Sequence, residues 1–344
     1  MPNAIVASGL SKTYDVKVRD PGIGGALTAL ARPRYRQVRA VEHVSFAIER
    51  GHAVAFLGPN GAGKTTTLKM LTGLLFPSAG RAEVAGCDPW TGGNAFKRRI
   101  AFVLGNKQQL LWDLPPEETF RLNRAIYGVS RADFTARRAE LVELLVLGDL
   151  IDKPARQLSL GERMKCELAA ALLHQPEVLF LDEPTLGLDL EAQQTIRDFL
   201  GTYRERHGAT ILLTSHYMAD VTALASRVMI INRGRLLYDG ELAALVARIA
   251  PIKRIELVLS EPVSRARLAE YGTVAHFAPS RATLEVPRET ATAASTRLLA
   301  DLAVADLSIQ DPPIEEVIRI AFGEAEEDAR GDDVPRADVR RAPP

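Results

Sequence analysis

Apolar residues in this chain fall into short runs separated by turn formers. Ala4-Ile5-Val6-Ala7 and Val41 to Ile48 read as strands. Ala53-Val54-Ala55-Phe56-Leu57 is a continuous apolar run ending in a Gly-rich turn, the pattern of a parallel strand buried on both faces. Thr65 to Leu75 then reads as a helix with Leu68, Leu71, Leu74 and Leu75 on one side. The spacing of Leu, Ile and Val makes Pro115 to Leu150 mostly helical, and Ser159 can cap a further helix running through Leu172. Val178 to Leu181 and Thr210 to Leu213 are two more buried strands, with a helix over Glu191 to His207 between them. Strands alternating with helices imply an α/β fold, its parallel sheet covered on both faces.

The pattern changes after Ala250. Ile255 to Leu259 and Ala282 to Val286 alternate weakly, and Val304 to Ile309 is a third strand. Helical stretches lie near Arg265 to Glu270, over Thr290 to Leu302, and over Ile314 to Phe322. These elements predict a small C-terminal α+β domain over 251–323, of ferredoxin-like type. Residues 324–344 are charged, Pro-bearing and nearly free of large apolar side chains, which predicts a disordered tail. The length of 344 residues fits this division into a 1–250 domain and a smaller one.

Asp15 to Arg39 interrupts the first domain as an insertion. It holds Lys17, Arg19, Arg32, Arg34, Arg36 and Arg39 against Asp20, around a Pro-Gly-rich centre. A solvated surface loop and a basic arm touching lipid headgroups both fit this composition, and a loop needs no ligand to carry it.

Composition narrows the function classes. The chain is 47% hydrophobic and 25% charged, as ordinary globular domains are. A formal net charge of +0 gives no reason to expect a nucleic-acid partner. Cys87 and Cys166 make neither a disulfide framework nor a metal-ligand pattern, which points to a reduced, cytosolic compartment. No run approaches ~20 apolar residues, and the first ten residues do not read as a signal peptide. A transport role would therefore need a membrane channel on another chain.

The candidate chemistry begins at Gly58-Pro59-Asn60-Gly61-Ala62-Gly63-Lys64-Thr65, which matches G-x-x-x-x-G-K-[ST] between a predicted strand and a predicted helix. Glycines let the backbone wrap a phosphate with its N–H groups pointing inward, and the helix N-terminus adds partial positive charge. Lys64 can reach the β and γ phosphates, and the Thr65 hydroxyl can ligate Mg²⁺. Thr66 continues the same turn. Val178 to Leu181 delivers Asp182 and Glu183 at a strand end, and two carboxylates there are costly unless they have partners. Asp182 can hold Mg²⁺ through a water, while Glu183 can accept a proton from the attacking water.

With Leu158-Ser159-Leu160-Gly161-Glu162 and Thr214-Ser215-His216 following in order, the stretch from Ala4 to Leu245 resembles the ATP-binding-cassette (ABC) ATPases. The fold that the resemblance implies is a P-loop NTPase cassette with a mixed sheet and a helical subdomain at about 106–172. It further implies a head-to-tail homodimer, each ATP lying between the phosphate loop of one subunit and the Ser159 segment of the other. Ser159, the Gly161 amide and Glu162 would meet the γ-phosphate across that interface. The family usually has Gly at Leu160 and Gln at Glu162. His216 is similar to the switch histidine that bonds the γ-phosphate. Tyr14 stands at the place of the aromatic that stacks on adenine, and Gly187-Leu188-Asp189 at the dimer-contact loop. The family's glutamine loop should follow Ile100-Ala101-Phe102-Val103, and its amide could come from Asn106, Gln108 or Gln109. Leu110-Leu111-Trp112 comes next, and either docking of a membrane subunit or burial would suit it.

Within the family the chain most resembles the ATPase subunits of ABC-2-type exporters, in a subgroup described as viologen or drug exporters. That resemblance implies an ATPase cycle with ATP and Mg²⁺, in which ATP-driven dimer closure powers a multi-helix membrane permease. It also implies a peripheral location on the cytoplasmic face of the membrane. A soluble ABC ATPase acting on ribosomes or DNA is the alternative, and such proteins usually carry two cassettes or long coiled-coil arms, neither of which occurs here. A nucleotide sensor without turnover would require a degenerate site, whereas Lys64, Asp182, Glu183 and His216 are all present.

Overall fold

The computed structural model describes residues 2–18, 34–105, 107–321 and 340–341. The chain divides into one unit of 1–240 with 333–344 and a second of 241–332. The division falls ten residues ahead of the expected boundary at 250. Most of the insertion's centre and most of the 324–344 tail lie outside the described residues. Among the described residues no helix is long and apolar enough to cross a membrane.

The first unit opens with two long strands, β1 (Asn3–Val18) and β2 (Arg34–Glu49), paired antiparallel along their lengths. The expected strands are thus the inner ends of a hairpin whose arms run on into the insertion. Tyr14, Val16 and Val18 alternate with Thr13, Asp15 and Lys17, so strand periodicity continues where basic composition suggested a loop. β3 (Ala53–Leu57) is buried at every position and feeds the Gly58–Gly63 turn into α1 (Lys64–Leu71). α1 ends earlier than its leucine stripe predicts, because Gly73 turns the chain at φ 75°. A Cβ there would lie 2.3 Å from the Pro89 carbonyl oxygen. Leu68 and Leu71 are buried, but Leu74, beyond the turn, is 68% exposed.

β4 (Ala79–Val84) joins β1, so β2, β1 and β4 are consecutive strands of an antiparallel sheet. Short α2 (Gly93–Lys97) leads to β5 (Ile100–Leu104). The expected helical stretch from Pro115 is two helices, α3 (Pro116–Tyr127) and α4 (Arg131–Leu144). Gly128 at φ 69° ends the first, and the Ser130 hydroxyl caps the second by accepting from Asp133 N–H. α5 (Leu160–Leu172) precedes β6 (Val178–Asp182), α6 (Leu190–His207) and β7 (Thr210–Thr214). α7 (Met218–Leu224), β8 (Arg227–Asn232) and β9 (Arg235–Glu241) complete the cassette. Arg233 and Gly234, both at positive φ, make the two-residue turn between β8 and β9.

The main sheet has the order β5-β6-β7-β3-β8-β9, and β5 through β8 are parallel neighbours. Residues of β3, β6, β7, β8 and α1 share one apolar core with the β1–β2–β4 sheet, where Phe46 and Phe56 meet at 6.2 Å. The C-terminal ends of β3, β6 and β7 point to one edge, where ligands bind in open α/β sheets.

In the second unit, α8 (Leu242–Ile249) leads to β10 (Ile252–Leu259), α9 (Arg265–Leu268), β11 (Thr273–Ala278) and β12 (Arg281–Pro287). α10 (Ala291–Asp301), β13 (Val304–Gln310) and a helix over 314–321 follow. The strand order β11-β12-β10-β13, antiparallel throughout, is the split βαβ arrangement of ferredoxin-like domains. Ile255, Leu257, Leu284 and Leu298 centre its separate core. β14 (Arg340–Arg341) pairs with Arg34 and Tyr35 of β2.

Candidate functional site

Each part of the phosphate-loop site is delivered by a strand end. The turn after β3 requires glycine at two positions for space. A Cβ on Gly58 would lie 2.3 Å from the Ile231 carbonyl oxygen, and one on Gly63, at φ 110°, would lie 2.5 Å from that of Ala40. Gly63 also leaves α1 without a side-chain cap, so the N–H groups of its first turn keep no side-chain acceptor. Lys64 is only 7% exposed, and its ammonium donates to the carbonyls of Gly58 at 2.5 Å and Pro59 at 3.3 Å. Burial pulls its pKa down, while the charges of Glu183 and Asp182 oppose the shift.

β6 carries Asp182 to the same place. Its Oδ2 accepts from the Thr65 hydroxyl at 2.8 Å and its Oδ1 from the Thr214 hydroxyl at 2.7 Å. Both carboxylate oxygens are therefore oriented, and Thr65 and Asp182 present two adjacent hard oxygen donors. Glu183 follows with a backbone φ of 57°, unusual for a residue with a side chain. Its N–H donates to the Thr214 carbonyl and hydroxyl, each at 3.1 Å. Gly105 packs against it so closely that a Cβ would sit 2.0 Å from the Glu183 carbonyl oxygen. Neighbours on both sides thus fix the uncommon backbone geometry. Burial first, and then the adjacent Asp182 charge, raise the Glu183 pKa against the pull of Lys64. Its Oε2 is buried without a partner, and its Oε1 lies 3.0 Å from His216 Nε2.

The same His216 nitrogen lies 3.0 Å from Asn60 Oδ1. Burial and the nearby Lys64 charge lower the His216 pKa, which favours neutral imidazole. Facing two oxygen acceptors, Nε2 is then the protonated ring nitrogen. Asp220 braces the loop from behind: it accepts from the hydroxyls of Ser215 and Thr185 and pairs with Arg197 at 3.0 Å.

Pro59, Asn60, Gly61, Ala62, Gly63, Lys64, Thr65, Thr66, Asp182, Glu183 and His216 line one pocket of about 360 Å³, with Ala40 and Leu186 added. That volume suits a small-molecule site. Other expected residues lie elsewhere. Tyr14 is a half-exposed residue of β1 with the Lys12 ammonium 5.3 Å from its ring centroid, and it does not line the pocket. Asn106 lies outside the described residues. Gln108 is exposed, and the Gln109 amide donates to the Phe102 carbonyl at 3.0 Å instead of entering the pocket. Ser159, Gly161 and Glu162 form the first turn of α5, also away from this pocket.

Sequence reasoning named Thr214 only as the start of the Thr214-Ser215-His216 segment, without a role, and did not single out Gly105 or Asp220. Thr214 follows the apolar Ile211 to Leu213 at the end of β7 beside Asp182, a polar end that could have been read as a partner. Gly105 and Asp220 carry no local signal, because their neighbours come from distant parts of the chain.

A family model described as ABC transporter matches residues 41–186, and one described as EvrA-like ABC transporter, C-terminal domain, matches residues 251–310. The ABC transporter ATP-binding protein NatA of Bacillus subtilis (strain 168) is 36% identical over 208 residues, 60% of this chain and 84% of its own length. The daunorubicin/doxorubicin resistance ATP-binding protein DrrA of Streptomyces peucetius is 31% identical over 303 residues, 86% of this chain and 91% of its own. A solved structure described as an ATP-binding subunit of an ABC transporter superposes with a TM-score of 0.60 at 28% identity, covering 71% of this chain and 92% of that one. With its phosphate loop, oriented carboxylates and sheet order, the chain belongs to the ABC transporter family, as an ATP-binding subunit with ATPase activity.

Proposed function

We propose that this subunit powers an ABC-2-type exporter, closing head to tail with a second copy of itself when ATP binds and reopening on hydrolysis. The observation that carries the reading is the hydrogen-bonded cluster Lys64, Thr65, Asp182, Glu183, Asn60 and His216 around one phosphate-sized turn. Relatives named for daunorubicin/doxorubicin resistance and for Nod factor export support the direction of transport. The partner would be a multi-helix permease, which places the subunit peripherally on the cytoplasmic face of the membrane.

The chemistry follows from the geometry. The open first turn of α1 and the Gly61–Gly63 amides receive phosphate oxygens, and Lys64 exchanges its carbonyl partners for the β and γ phosphates. Thr65 and Asp182 fit Mg²⁺, which takes few protein oxygens and completes its shell with phosphate and water. When bound, Mg²⁺ would neutralise charge developing on the phosphates. Glu183 accepts a proton from the attacking water as its oxygen bonds to the γ-phosphorus and the bond to the β-bridging oxygen breaks. His216, protonated at Nε2, orients that water and the γ-phosphate together with Asn60. Ser159 and the Gly161 amide of the other subunit contact the same phosphate, and Tyr14 offers a face to adenine. Gln108, Asn106 or Gln109 would report γ-phosphate occupancy after a shift of the segment following β5.

Glu183→Gln removes the proton acceptor and keeps the shape. It should lower the ATPase rate by about 10²–10⁴-fold and accumulate an ATP-bound dimer, measured by size exclusion with light scattering. An ATP-loaded variant that stays monomeric would refute the closure step. Copurification from native membranes with a multi-helix protein tests the transport role.

A further inference from the structure

Glu167 has no part in the phosphate pocket, yet it is a carboxylate only 2% exposed in the middle of α5, between the fully buried Cys166 and Leu168. Its compensation is thin. Oε1 accepts from the Gln109 N–H at 3.4 Å and lies 3.8 Å from Arg163 Nε. An apolar side chain of similar size would stabilise this site better than a carboxylate so loosely partnered. What the carboxylate does provide is a connection.

The Arg163 guanidinium lies over Trp112, its carbon 5.8 Å from the ring centroid, while the Arg163 backbone N–H makes the first-turn helix bond to the Ser159 carbonyl at 2.9 Å. Ser159, Arg163 and Glu167 are spaced i, i+4, i+8, so they share one face of the helix that begins at the proposed cross-subunit phosphate contact. The segment they hold is 107–114, which leaves β5 beside Glu183 and ends in the exposed side chains of Leu111, Trp112 and Leu114. On the helical side it is also anchored by Leu111 N–H on the Thr119 hydroxyl and Arg156 N–H on the Trp112 carbonyl. Its start is tied to β5 by Lys107 N–H on the Leu104 carbonyl and the Gln109 amide on that of Phe102, so the half most free of the main sheet is the Leu111–Leu114 end.

We propose that Glu167 is a positioning residue that, with Arg163, fastens segment 107–114 to the Ser159 face of α5, so that movements at Trp112 and at Ser159 occur together. The proposal rests on the ATP-driven closure put forward above, because closure is the event that would move Ser159. Gln109 N–H and Arg163 are the groups facing the carboxylate, so neutralising it loosens both the Gln109 backbone and the Arg163 side chain that lies over Trp112.

The test uses the full chain. Trp90 and Trp112 are its two tryptophans, so Trp90→Phe in a Glu183→Gln background leaves Trp112 as the single reporter. MgATP should shift Trp112 emission in that parent. Glu167→Ala should cut the shift at least threefold and raise the ATP concentration for dimerisation at least threefold, while ADP affinity stays within twofold. Glu167→Gln, which keeps an acceptor for Gln109 N–H, should fall between, and it carries the test should the alanine variant not fold. An unchanged Trp112 response in Glu167→Gln, and in Glu167→Ala where it folds, overturns the proposal, as does a parent whose Trp112 ignores MgATP. A parent whose Trp112 responds in a Glu167-dependent way without dimerising defeats the closure reading and leaves the link between Trp112 and α5 standing.

Discussion

Two helix N-termini in this chain are candidates for the same phosphate chemistry, and they are finished in opposite ways. At α1 the capping residue is Gly63, in the left-handed region with no side chain to accept from the first turn. The orphan N–H groups stay open to an external anion, and the Lys64 ammonium stands in the same turn, bonded to the Gly58 and Pro59 carbonyls. At α5 the turn closes on itself. The Ser159 hydroxyl accepts from Glu162 N–H at 3.2 Å, and the Glu162 carboxylate accepts from Ser159 N–H at 2.8 Å. This capping box already holds a negative charge at the positive end of the helix. The first terminus is therefore built to bind phosphate alone. In the head-to-tail closure proposed above, the second would bind it only when another subunit's site supplies enough attraction to bring a phosphate beside a carboxylate.

Removing Lys64 breaks the open terminus with the largest expected effect. Lys64→Ala takes away the buried cation whose charge offsets Asp182 and Glu183, and leaves those carboxylates facing the phosphates. ATP affinity should fall at least ~100-fold, given that losing one partner of a buried charge pair costs about 3–5 kcal/mol. Equilibrium binding of a fluorescent ATP analogue measures it. Near-normal affinity would mean that backbone N–H groups alone hold the nucleotide, and the contrast between the two helix ends would lose its electrostatic half.

The open terminus was also the more legible of the two in the sequence. Gly58 to Thr65 lies in continuous sequence, and its chemistry follows from local backbone needs. Asp182 and Glu183 were legible because the four apolar residues Val178 to Leu181 cannot end in two carboxylates without partners. The partners themselves were not: Thr214 reaches Asp182 from another strand, and Gly105 meets Glu183 only because β5 and β6 pair in register. At the C-terminal unit the weak alternation was enough for the ferredoxin-like topology, although β11 was missed. Its Thr273 to Ala278 run is largely exposed and shows no clean apolar face. The helical region was least legible. The Gln109 amide turns back to Phe102, a choice decided by tertiary placement and invisible in a run of polar residues.

A smaller effect separates the two helices by their interiors. Burial raises the Glu167 pKa to about 7, from a carboxylate's usual 4.5. The folded state then holds this proton more tightly than the unfolded chain, so the group favours folding below about pH 4.5. That contribution is lost as pH rises through about 7. Glu167→Gln should therefore melt close to the wild type at pH 5 and a few degrees higher at pH 8, on the order of 2–4 °C per kcal/mol for a unit of this size. A gain in melting temperature joined to a loss of Trp112 response would mark a residue kept for coupling at the expense of stability. Equal melting shifts at both pH values would show that the carboxylate stays charged throughout.

The smallest expected change is the one that tests the comparison most directly. Glu162→Gln retains both hydrogen bonds of the capping box, since glutamine serves at that position as glutamate does, and removes only the charge. The Glu162 pKa lies below the usual carboxylate range, chiefly because Ser159 N–H bonds the carboxylate, so the group is anionic throughout the neutral range. Two opposing consequences follow. The helix loses a favourable charge at its N-terminus, worth about 0.3–1 kcal/mol when exposed, so the melting temperature should drop slightly. The incoming γ-phosphate loses a repulsive neighbour, so in the Glu183→Gln background the ATP concentration for half-dimerisation should fall by about threefold. Added salt screens exposed charges, with a Debye length near 10 Å at 0.1 M. Raising NaCl from 50 to 300 mM should accordingly help the parent dimerise relative to Glu162→Gln, narrowing the gap between them. If the glutamine variant instead needs more ATP at every salt concentration, Glu162 attracts the nucleotide complex, through Mg²⁺ or a donor on the opposing subunit. The closed terminus would then be a second ligand site rather than a guarded one.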